Sequence, residues 1–499
     1  MLDLSNIAMY QENNRIEAKK SLGGLPKSLW ETYSAFANAM GGILLLGVEE
    51  YKDKSLHIVN LPNPEALVAE FYAILNNPRK VSVNILKEQD VFIQEVDGKR
   101  MIVIHVPRAS RFDKPVYIDD DPFTGTYRRT GEGDFRCSRE EVNAMMRDSR
   151  VDTEDMRLLE TADVTVFDYD TLRRYRKQME NVSPGHAWET LPDEEFLQKI
   201  GAAGKSLTGT AHPTAAGLLM FGRETEIVKY YPHFVLEYQE TNGTGENESI
   251  TSFSGGWSGN LYDFYTMVRD KLLRAVFSTT QSGKIQSALC EALANALIHA
   301  DYHGSRGIVI LKQKEAVVFS NPGTFRIDVR EAKNGGISDP RNAAIMKMFH
   351  FAGAGRGNGS GMPMIFHAWE NRGWENPVVQ ELFSPNRTTL TLALGDGVES
   401  DRIQERRTYK EQILEYLTDH VTGTNADFRA VTGLSATRVI LLIKDLLQEE
   451  LIVAEGSHRS RVYRLKAKYR IKRDILAPGR FCCRGLICFE RRKFLKIIV

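Results

Sequence analysis

The chain has 499 residues, 42 % apolar and 26 % charged, with 65 basic and 65 acidic side chains. Length and composition fit about three or four globular domains. No apolar run approaches a bilayer span, and Met1–Ser5 lacks the basic start of a signal peptide. Five cysteines, three of them close together near the end, do not make a secreted disulfide framework. Membrane, collagenous, disulfide-rich and wholly disordered classes are excluded, and a cytosolic location is expected. The zero net charge hides an asymmetry. Arg459–Val499 holds 14 Lys/Arg against 2 Asp/Glu, a net of +12 that the rest of the chain balances with −12. A polyanion is therefore drawn first to the C-terminal end.

In chain order, Leu29, Tyr33, Phe36, Ala37 and Met40 form a helical stripe that Gly41-Gly42 ends. Ile43–Val48 reads as a buried strand. Val91–Val96 and Met101–Val106 flank Asp97-Gly98, a favoured hairpin turn. Tyr127–Gly131 closes another strand, and Ser138–Arg147 reads as a short helix. Residues 151–205 are charged and helical in pattern. Within them Gly201-Ala-Ala-Gly204-Lys205-Ser206 imitates a phosphate-binding loop, but the position five before Gly204 is Lys199, not glycine, and a helix precedes it. It is read as a helix C-terminal turn. Residues 206–400 form a second α+β unit with a helix near Ile285–His299, strands at Ile308–Leu311 and Ala316–Ser320, and a glycine-rich stretch from Gly353 to Gly361. A linker at 401–407 precedes a small helical unit at 408–466 and a basic tail at 467–499. The tail's Cys482, Cys483 and Cys488 lack zinc-site spacing. Cys137 and Cys290 read as small buried side chains.

Glu12, Glu17 and the pair Glu49-Glu50, which ends the Ile43–Val48 strand, bring carboxylates and Lys19 within reach of one another. Such a set can hold a divalent cation for phosphodiester cleavage, although carboxylates beside lysines are more often solvated. Glu12…Glu17-Ala-Lys19, Ala35–Glu50, Lys114-Pro-Val-Tyr117 and Tyr127-Arg-Arg-Thr-Gly131 together resemble the Schlafen-type AlbA_2 domain over about residues 8–150. The resemblance implies nucleic-acid binding. In some Schlafen members three acidic residues cleave tRNA and rRNA with a metal. Carried over, these are Glu12, Glu17 and Glu50 (or Glu49) as catalytic and metal-binding residues. The third position departs from the family by carrying glutamate where aspartate is expected.

On the helix Ala288–Ala300, Leu289, Ala292, Leu293, Ala296, Leu297 and Ala300 form an apolar face. Glu291, Asn295 and His299 recur every four residues on the other side. A carboxylate there can activate water, and an amide oxygen one turn on can ligate Mg²⁺ beside phosphates. Phe319-Ser-Asn321-Pro-Gly323 ends a strand in a turn where backbone meets a ligand. Gly353–Gly361 offers backbone N–H groups before a helix, an arrangement that attracts phosphate. These stretches resemble the GHKL ATPase fold of gyrase, heat-shock chaperones, sensor histidine kinases and mismatch-repair proteins. With Thr214–Gly222 and Ser338-Asp-Pro-Arg341-Asn342, they resemble more closely the bacterial "helicase-related" subgroup joined to AlbA_2 domains. The resemblance spans about residues 155–395. It implies ATP and Mg²⁺ as cofactors, Glu291 as general base, Asn295 as Mg²⁺ ligand and Asn321 with Gly323 at the adenine position. It further implies Gly353, Gly355, Gly359, Ser360 and Gly361 in a lid over the phosphates. Asn321 stands where aspartate is usual.

In 408–466, Ile413, Leu414 and Leu417 mark one helix, Phe428–Leu434 a short second, and Ala436–Leu447 a third, capped by Ser435 with Val439, Ile440, Ile443 and Leu446 as its core stripe. Ile452–Ala454 and Arg461–Leu465 pair around a turn. This looks like a winged helix, which implies major-groove contacts from Thr437, Arg438 and Lys444 and wing contacts from His458, Arg459 and Arg461. Such modules also serve as protein-interaction units.

The expected architecture is multidomain α+β. It comprises an AlbA_2-like nucleic-acid-binding domain (1–150), a helical connector (151–205), a GHKL-like ATP-binding α/β sandwich (206–400), a winged helix-turn-helix (408–466) and a basic tail (467–499). The expected function is an ATP-binding, DNA-binding regulator, slow in ATP turnover and homo-oligomeric, without membrane association. The alternatives are an ATP-controlled, metal-dependent endoribonuclease in stress or anti-phage defence, and a scaffold with vestigial sites.

Overall fold

A computed structural model describes residues 12–241, 247–277, 283–383, 385–395, 409–418, 420, 422–434, 436–448, 451–456 and 461–466. The chain divides into two compact units, Met1–Gly395 and Asp396–Val499. The architecture is multidomain and mixes helix with sheet.

The first unit opens with strand β1 (Ile16–Lys19), helix α1 (Ser28–Asn38) and strand β2 (Gly42–Leu46). The hairpin β3 (Val91–Val96) and β4 (Lys99–Val106) completes a sheet ordered β1-β2-β4-β3, with only β1 and β2 parallel. The period-2 alternation of strands sets its two faces. Leu44, Leu46, Ile102 and Ile104 meet Leu29, Tyr33 and Phe36 of α1. Leu45, Met101 and Val103 turn the other way, onto Ile16, Ala18 and Val48. The strand expected over Ile43–Val48 is broken at Gly47. There φ is +84°, and a Cβ would lie 2.6 Å from Leu61 Cγ, so only glycine fits the break. Val48–Glu50 then pairs with Leu56–Ile58. Helix α2 (Arg139–Asp148) starts at a capping box, in which Ser138 Oγ accepts from Glu141 N and Glu141 accepts from Ser138 N.

Six further strands make the larger sheet: β5 (Leu236–Thr241), β6 (Asn247–Thr251), β7 (Ile308–Lys312), β8 (Ala316–Pro322), β9 (Val378–Phe383) and β10 (Asn386–Ala393). Their order is β6-β5-β7-β8-β10-β9, and only β5 and β7 run parallel. Leu261–Phe277, α3 (Gly283–Ile298) and α4 (Gly361–Arg372) pack on it. Ile310, Val317, Phe319 and Leu392 meet Leu289, Leu293 and Trp369 in its core. Residues expected as a connector contribute Leu172, Tyr175 and Phe196 to this same core. The phosphate-loop imitation is a helix end: Gly201 (φ +88°) closes Asp193–Ile200, and Ala203–Lys205 follows as a strand.

The second unit contains helical residues 409–418, helices Asn425–Thr432 and Ala436–Gln448, and the antiparallel pair Ile452–Glu455 and Val462–Leu465. Ile413, Leu417, Phe428, Val439, Leu442 and Ile443 form its core. Ile440, expected in the core stripe, is 56 % exposed, and Leu442 takes its place. The linker at 401–407, Ser435, the Thr437 side chain, His458, Arg459 and the tail at 467–499 lie outside the described residues. Among the described residues no helix is long and apolar enough to cross a membrane.

Candidate functional site

The N-terminal carboxylates do approach one another. Glu12 Oε1 accepts from Ala18 N at 2.9 Å. Burial raises its pKa, opposed by that hydrogen bond and reinforced by the charges of Glu17 and Glu50. Glu17 is spoken for, however. Its Oε1 lies 2.5 Å from Lys19 Nζ and its Oε2 2.7 Å from Arg129 Nη2. Arg129, nearly fully buried, also pairs with Asp134 at 2.9 Å and donates to Asn13 O. Glu50 and Glu49 pair with Lys54 and Lys20. Glu50 Oε1 is buried without a hydrogen-bond partner. Among the described residues no three His, Cys, Asp or Glu side chains are grouped to hold a metal. The expected Glu12, Glu17 and Glu50 set is thus a neighbourhood whose central carboxylate is consumed by two cations.

The larger site is an open cleft between α3, the end of β8 and the loop leading into α4, about 1040 Å³ counting its mouth. It gathers Glu291 and Asn295 from α3, His299 from the turn just after it, Asn321 from β8, and Gly355, Gly359 and Gly361 from the glycine-rich stretch. The strand period explains Asn321. Val317 and Phe319 point into the core, so Asn321 emerges on the same side where the core ends, beside its strand partner Thr388. Its Nδ2 donates to Pro322 O, which leaves Oδ1 to accept from a ligand. Phe319, Val379 and Leu390 supply apolar wall. Ala292 and Ala296, whose small side chains leave room under a ligand, also line the cleft.

Glu291 is buried, and its Oε1 accepts weakly from Arg356 N at 3.4 Å. Burial raises its pKa, and Arg356 opposes the shift through that bond and its charge. A carboxylate held this way is suited to take a proton from water. Gly361, the first residue of α4, presses on it: a Cβ there would lie 2.3 Å from Glu291 Oε1. Gly353, Gly355, Gly357 and Gly359 all have positive φ, so the loop turns repeatedly before α4 begins. His299 is held down to about 4 by burial and by the nearby Arg341 and Arg326, so it is neutral at physiological pH.

Three expected site residues lie off the cleft lining. Gly323 packs under the Arg341 guanidinium, Gly353 packs against Val182, and the Ser360 hydroxyl donates to Asn358 Oδ1. Conversely, Thr324, Phe325, Arg326, Ser338 and Asp339 form a wall that sequence reasoning did not assign. The Ser338–Asn342 stretch was visible as a motif without a role. Asn342 Nδ2 donates to Ile298 O and Ala300 O, and Arg341 Nη1 donates to His299 O. These two side chains therefore cap the C-terminal end of α3, whose last carbonyls have no partner within the helix.

The residues present fit a nucleotide. The acceptor of Asn321 and apolar wall lie at one end, and backbone amides ahead of a twelve-residue helix lie at the other. Asn295 is the residue that would ligate Mg²⁺ beside the phosphates. In the second unit Arg438, Lys444 and Arg461 are exposed, but so are Ile440, Leu441 and Leu447.

The fold and cleft define a nucleotide-binding α/β domain joined to a smaller α+β domain. Comparison with known proteins gives the particular families. Residues 12–138 match the Schlafen, AlbA_2 family, and residues 306–392 match the family described as "Putative ATP-dependent DNA helicase recG C-terminal". The chain therefore carries a Schlafen AlbA_2 domain and a RecG-C-terminal-like ATPase domain. Residues 143–237 match a domain of unknown function, DUF8451. No curated protein matches. Among solved structures, the DIP2311 protein from Corynebacterium diphtheriae is 18 % identical, with TM-score 0.38, over 91 % of this chain and 95 % of that one. The N-terminal domain of a "Putative ATP-dependent DNA Helicase RecG-related Protein" from Nitrosomonas europaea is 32 % identical, with TM-score 0.22, over 27 % of this chain and 90 % of that one. The two family matches mark a nucleic-acid-related, ATP-binding protein.

Proposed function

We propose that this protein is an ATP-binding regulator whose nucleotide state controls its hold on DNA, with Glu291 as the general base of a slow ATPase and Asn295 as the Mg²⁺ ligand. The carrying observation is the cleft, in which Glu291, Asn295, Asn321 and three loop glycines meet. When bound, Mg²⁺ would supply charge neutralisation at the phosphates. Asn321 receives the adenine amino group through Oδ1, and the Gly355–Gly361 amides face the phosphates. Glu291 takes the proton of an attacking water. The helix-and-hairpin unit at 408–466 is read as a winged helix that meets DNA, with Arg438, Lys444 and Arg461 on its exposed side and the basic tail beyond. The endoribonuclease alternative draws less support, because Lys19 and Arg129 occupy both oxygens of Glu17. A cytoplasmic, homo-oligomeric state belongs to the same proposal.

The test is calorimetric titration of ATP into the full chain with Mg²⁺, paired with native-gel retention of duplex DNA and a denaturing gel of tRNA. Micromolar ATP binding and nucleotide-dependent DNA retention, with tRNA intact, are expected. Retention of DNA that is identical with and without ATP, or tRNA fragments that vanish in Glu12→Ala, would overturn the regulator reading.

A further inference from the structure

One wall of the nucleotide cleft is built on the neighbouring domain. Thr324, Phe325, Arg326 and Asp339 line the cleft, yet the groups that hold them come from the AlbA_2 domain and the end of α2. Arg108 donates to Phe325 O and pairs bidentately with Glu381, which also accepts from Phe325 N at 2.7 Å. Arg111 pairs with Asp339 at 2.6 Å and donates to Asp148 O. Asp148, the last residue of α2, grips Arg341 through both oxygens, at 2.9 and 2.7 Å. Arg341 donates in turn to Thr324 O in the wall and His299 O at the end of α3. Arg326 donates to Pro340 O and Asp148 O.

These groups are largely out of water. The Arg326, Arg108 and Arg341 side chains are 4 %, 10 % and 10 % exposed, and Glu381 is 1 % exposed. Burial alone would raise the Asp148 carboxyl, but Arg341, Arg326 and Arg147 together hold it below the usual carboxylate range. Charge-assisted, bidentate bonds tolerate little change in distance or angle, and a buried charge stripped of its partner is strongly unfavourable. A shift of the AlbA_2 domain against the cleft wall therefore pulls on Arg108 and Arg111 and, through the Arg111–Asp148 bond, on Arg341, which shares the capping of α3 with Asn342. The same helix carries Glu291 and Asn295.

We infer that Asp148, acting through Arg341, is a positioning residue for the nucleotide cleft, and that nucleic acid bound to the AlbA_2 domain and nucleotide bound in the cleft change each other's affinity through this lattice. The inference rests on the ATP-binding reading and on nucleic-acid binding by the AlbA_2 domain beside that of the winged helix, and it adds the route that joins the AlbA_2 domain to the cleft. Because coupling between two bound ligands is reciprocal, one number describes it.

The experiment is a titration of the non-hydrolysable analogue AMP-PNP into the full-length protein, with and without a saturating duplex DNA or single-stranded RNA. It is repeated for Asp148→Asn, for Arg111→Gln at the Arg111–Asp339 pair, and for Glu140→Gln. Glu140 accepts from Ser305 N at 3.0 Å and so bridges the domains away from the cleft wall. Arg111→Gln keeps the test alive if Asp148→Asn fails to fold. The expected result is a coupling factor of at least about 5 in the wild type. It falls below about 2 in Asp148→Asn and Arg111→Gln and is retained in Glu140→Gln. A merely structural role would lower the melting temperature in all three variants alike and leave the coupling factor unmoved. A wild type that binds nucleotide but shows a factor of 1, or a factor unchanged in both lattice variants, overturns the inference and leaves the ATP site standing. A wild type that binds no nucleotide overturns both.

Discussion

Gly361→Ala tests the catalytic assignment without replacing a charged residue. The added Cβ would stand 2.3 Å from Glu291 Oε1, 3.1 Å from Cδ and 3.2 Å from Cγ, whereas ordinary contact begins at 3.4 Å. The carboxylate must therefore retreat by roughly 1 Å, within a buried setting that leaves it few alternatives. Misplacement of a reacting group by about 1 Å can lower a rate by about 100-fold. The helix itself should not suffer, since alanine exceeds glycine in helix propensity by up to about 1 kcal/mol. The expected outcome is a loss of ATP turnover near 100-fold, with affinity for AMP-PNP within about threefold and an unchanged or slightly raised melting temperature. Turnover is read as phosphate release at saturating ATP, and affinity by calorimetry. Because the alanine acts through the carboxylate, adding it to Glu291→Gln should cause no further loss. Turnover within about threefold of wild type would refute the argument. So would a loss that multiplies with that of Glu291→Gln, since either result means that Glu291 is not the group seated against α4.

Glu291→Gln should lower turnover by about 100- to 10,000-fold, the range of a general base. It should also stabilise the fold at neutral pH. The Glu291 pKa is raised by burial, so its neutral form is the favoured one in the fold, and the penalty appears as pH rises through that raised pKa. The variant's melting-temperature advantage is expected at pH 8 and should vanish in acid; an advantage that grows in acid would contradict it. Arg129→Met leaves Glu17 with Lys19 alone and Asp134 without its cation, and should cost about 3–5 kcal/mol in urea unfolding of the first unit. A loss under about 1 kcal/mol would mean that Lys19 and the Thr32 hydroxyl, which donates to Asp134 Oδ2 at 2.6 Å, suffice. Asn321→Leu removes the acceptor for the adenine amino group, so preference for ATP over inosine triphosphate, compared by calorimetry, should shrink by about tenfold, or about 1.4 kcal/mol. Asn321→Asp should keep that preference, and a variant that loses it would place the base elsewhere.

Much of the fold was legible where local chemistry decides it. The stripe from Leu29 to Ala37 appears as α1, which ends at Asn38, two residues before Met40, and Asp97-Gly98 turns with φ of +49° and +71°, as an asparagine- or aspartate-glycine hairpin requires. The four-residue spacing of Glu291 and Asn295 placed both on the cleft side of α3 because helix geometry alone sets that face, and His299, in the turn after Ile298, lines the same cleft. The misreadings share a cause. In Ile43–Val48 and Val439–Ile443 the apolar run is unbroken, so periodicity cannot say where a strand bends at Gly47 or which side of a helix faces out at Ile440. Those answers come from Leu61, which crowds Gly47, and from Phe428 and Ile413, which select Val439 and Leu442. Ala292 and Ala296 of the expected apolar face are buried in the core and also line the floor of the cleft.

The wall formed by Thr324–Arg326 and Asp339 was illegible for a deeper reason. Its partners, Arg108, Arg111 and Asp148, lie 178–228 residues away in sequence, and a lone arginine or aspartate carries no sign of its partner. An apolar interface would also have joined the two domains, but it would have left them freer to slide, since apolar contact is not directional. The lattice fixes a register instead, at the expense of desolvating several charges. Its organisation around Arg341 makes that expense intelligible in functional terms. One guanidinium satisfies the His299 carbonyl just past the end of α3, a carbonyl of the cleft wall and the carboxylate of Asp148. Displacing Asp148 therefore unseats a helix cap and a wall together, and each buried group left unbonded costs about 1–3 kcal/mol. That sum is comparable to the 1–3 kcal/mol by which ligands at separate sites typically influence one another. A lattice of this size is large enough to carry such a signal between the domains.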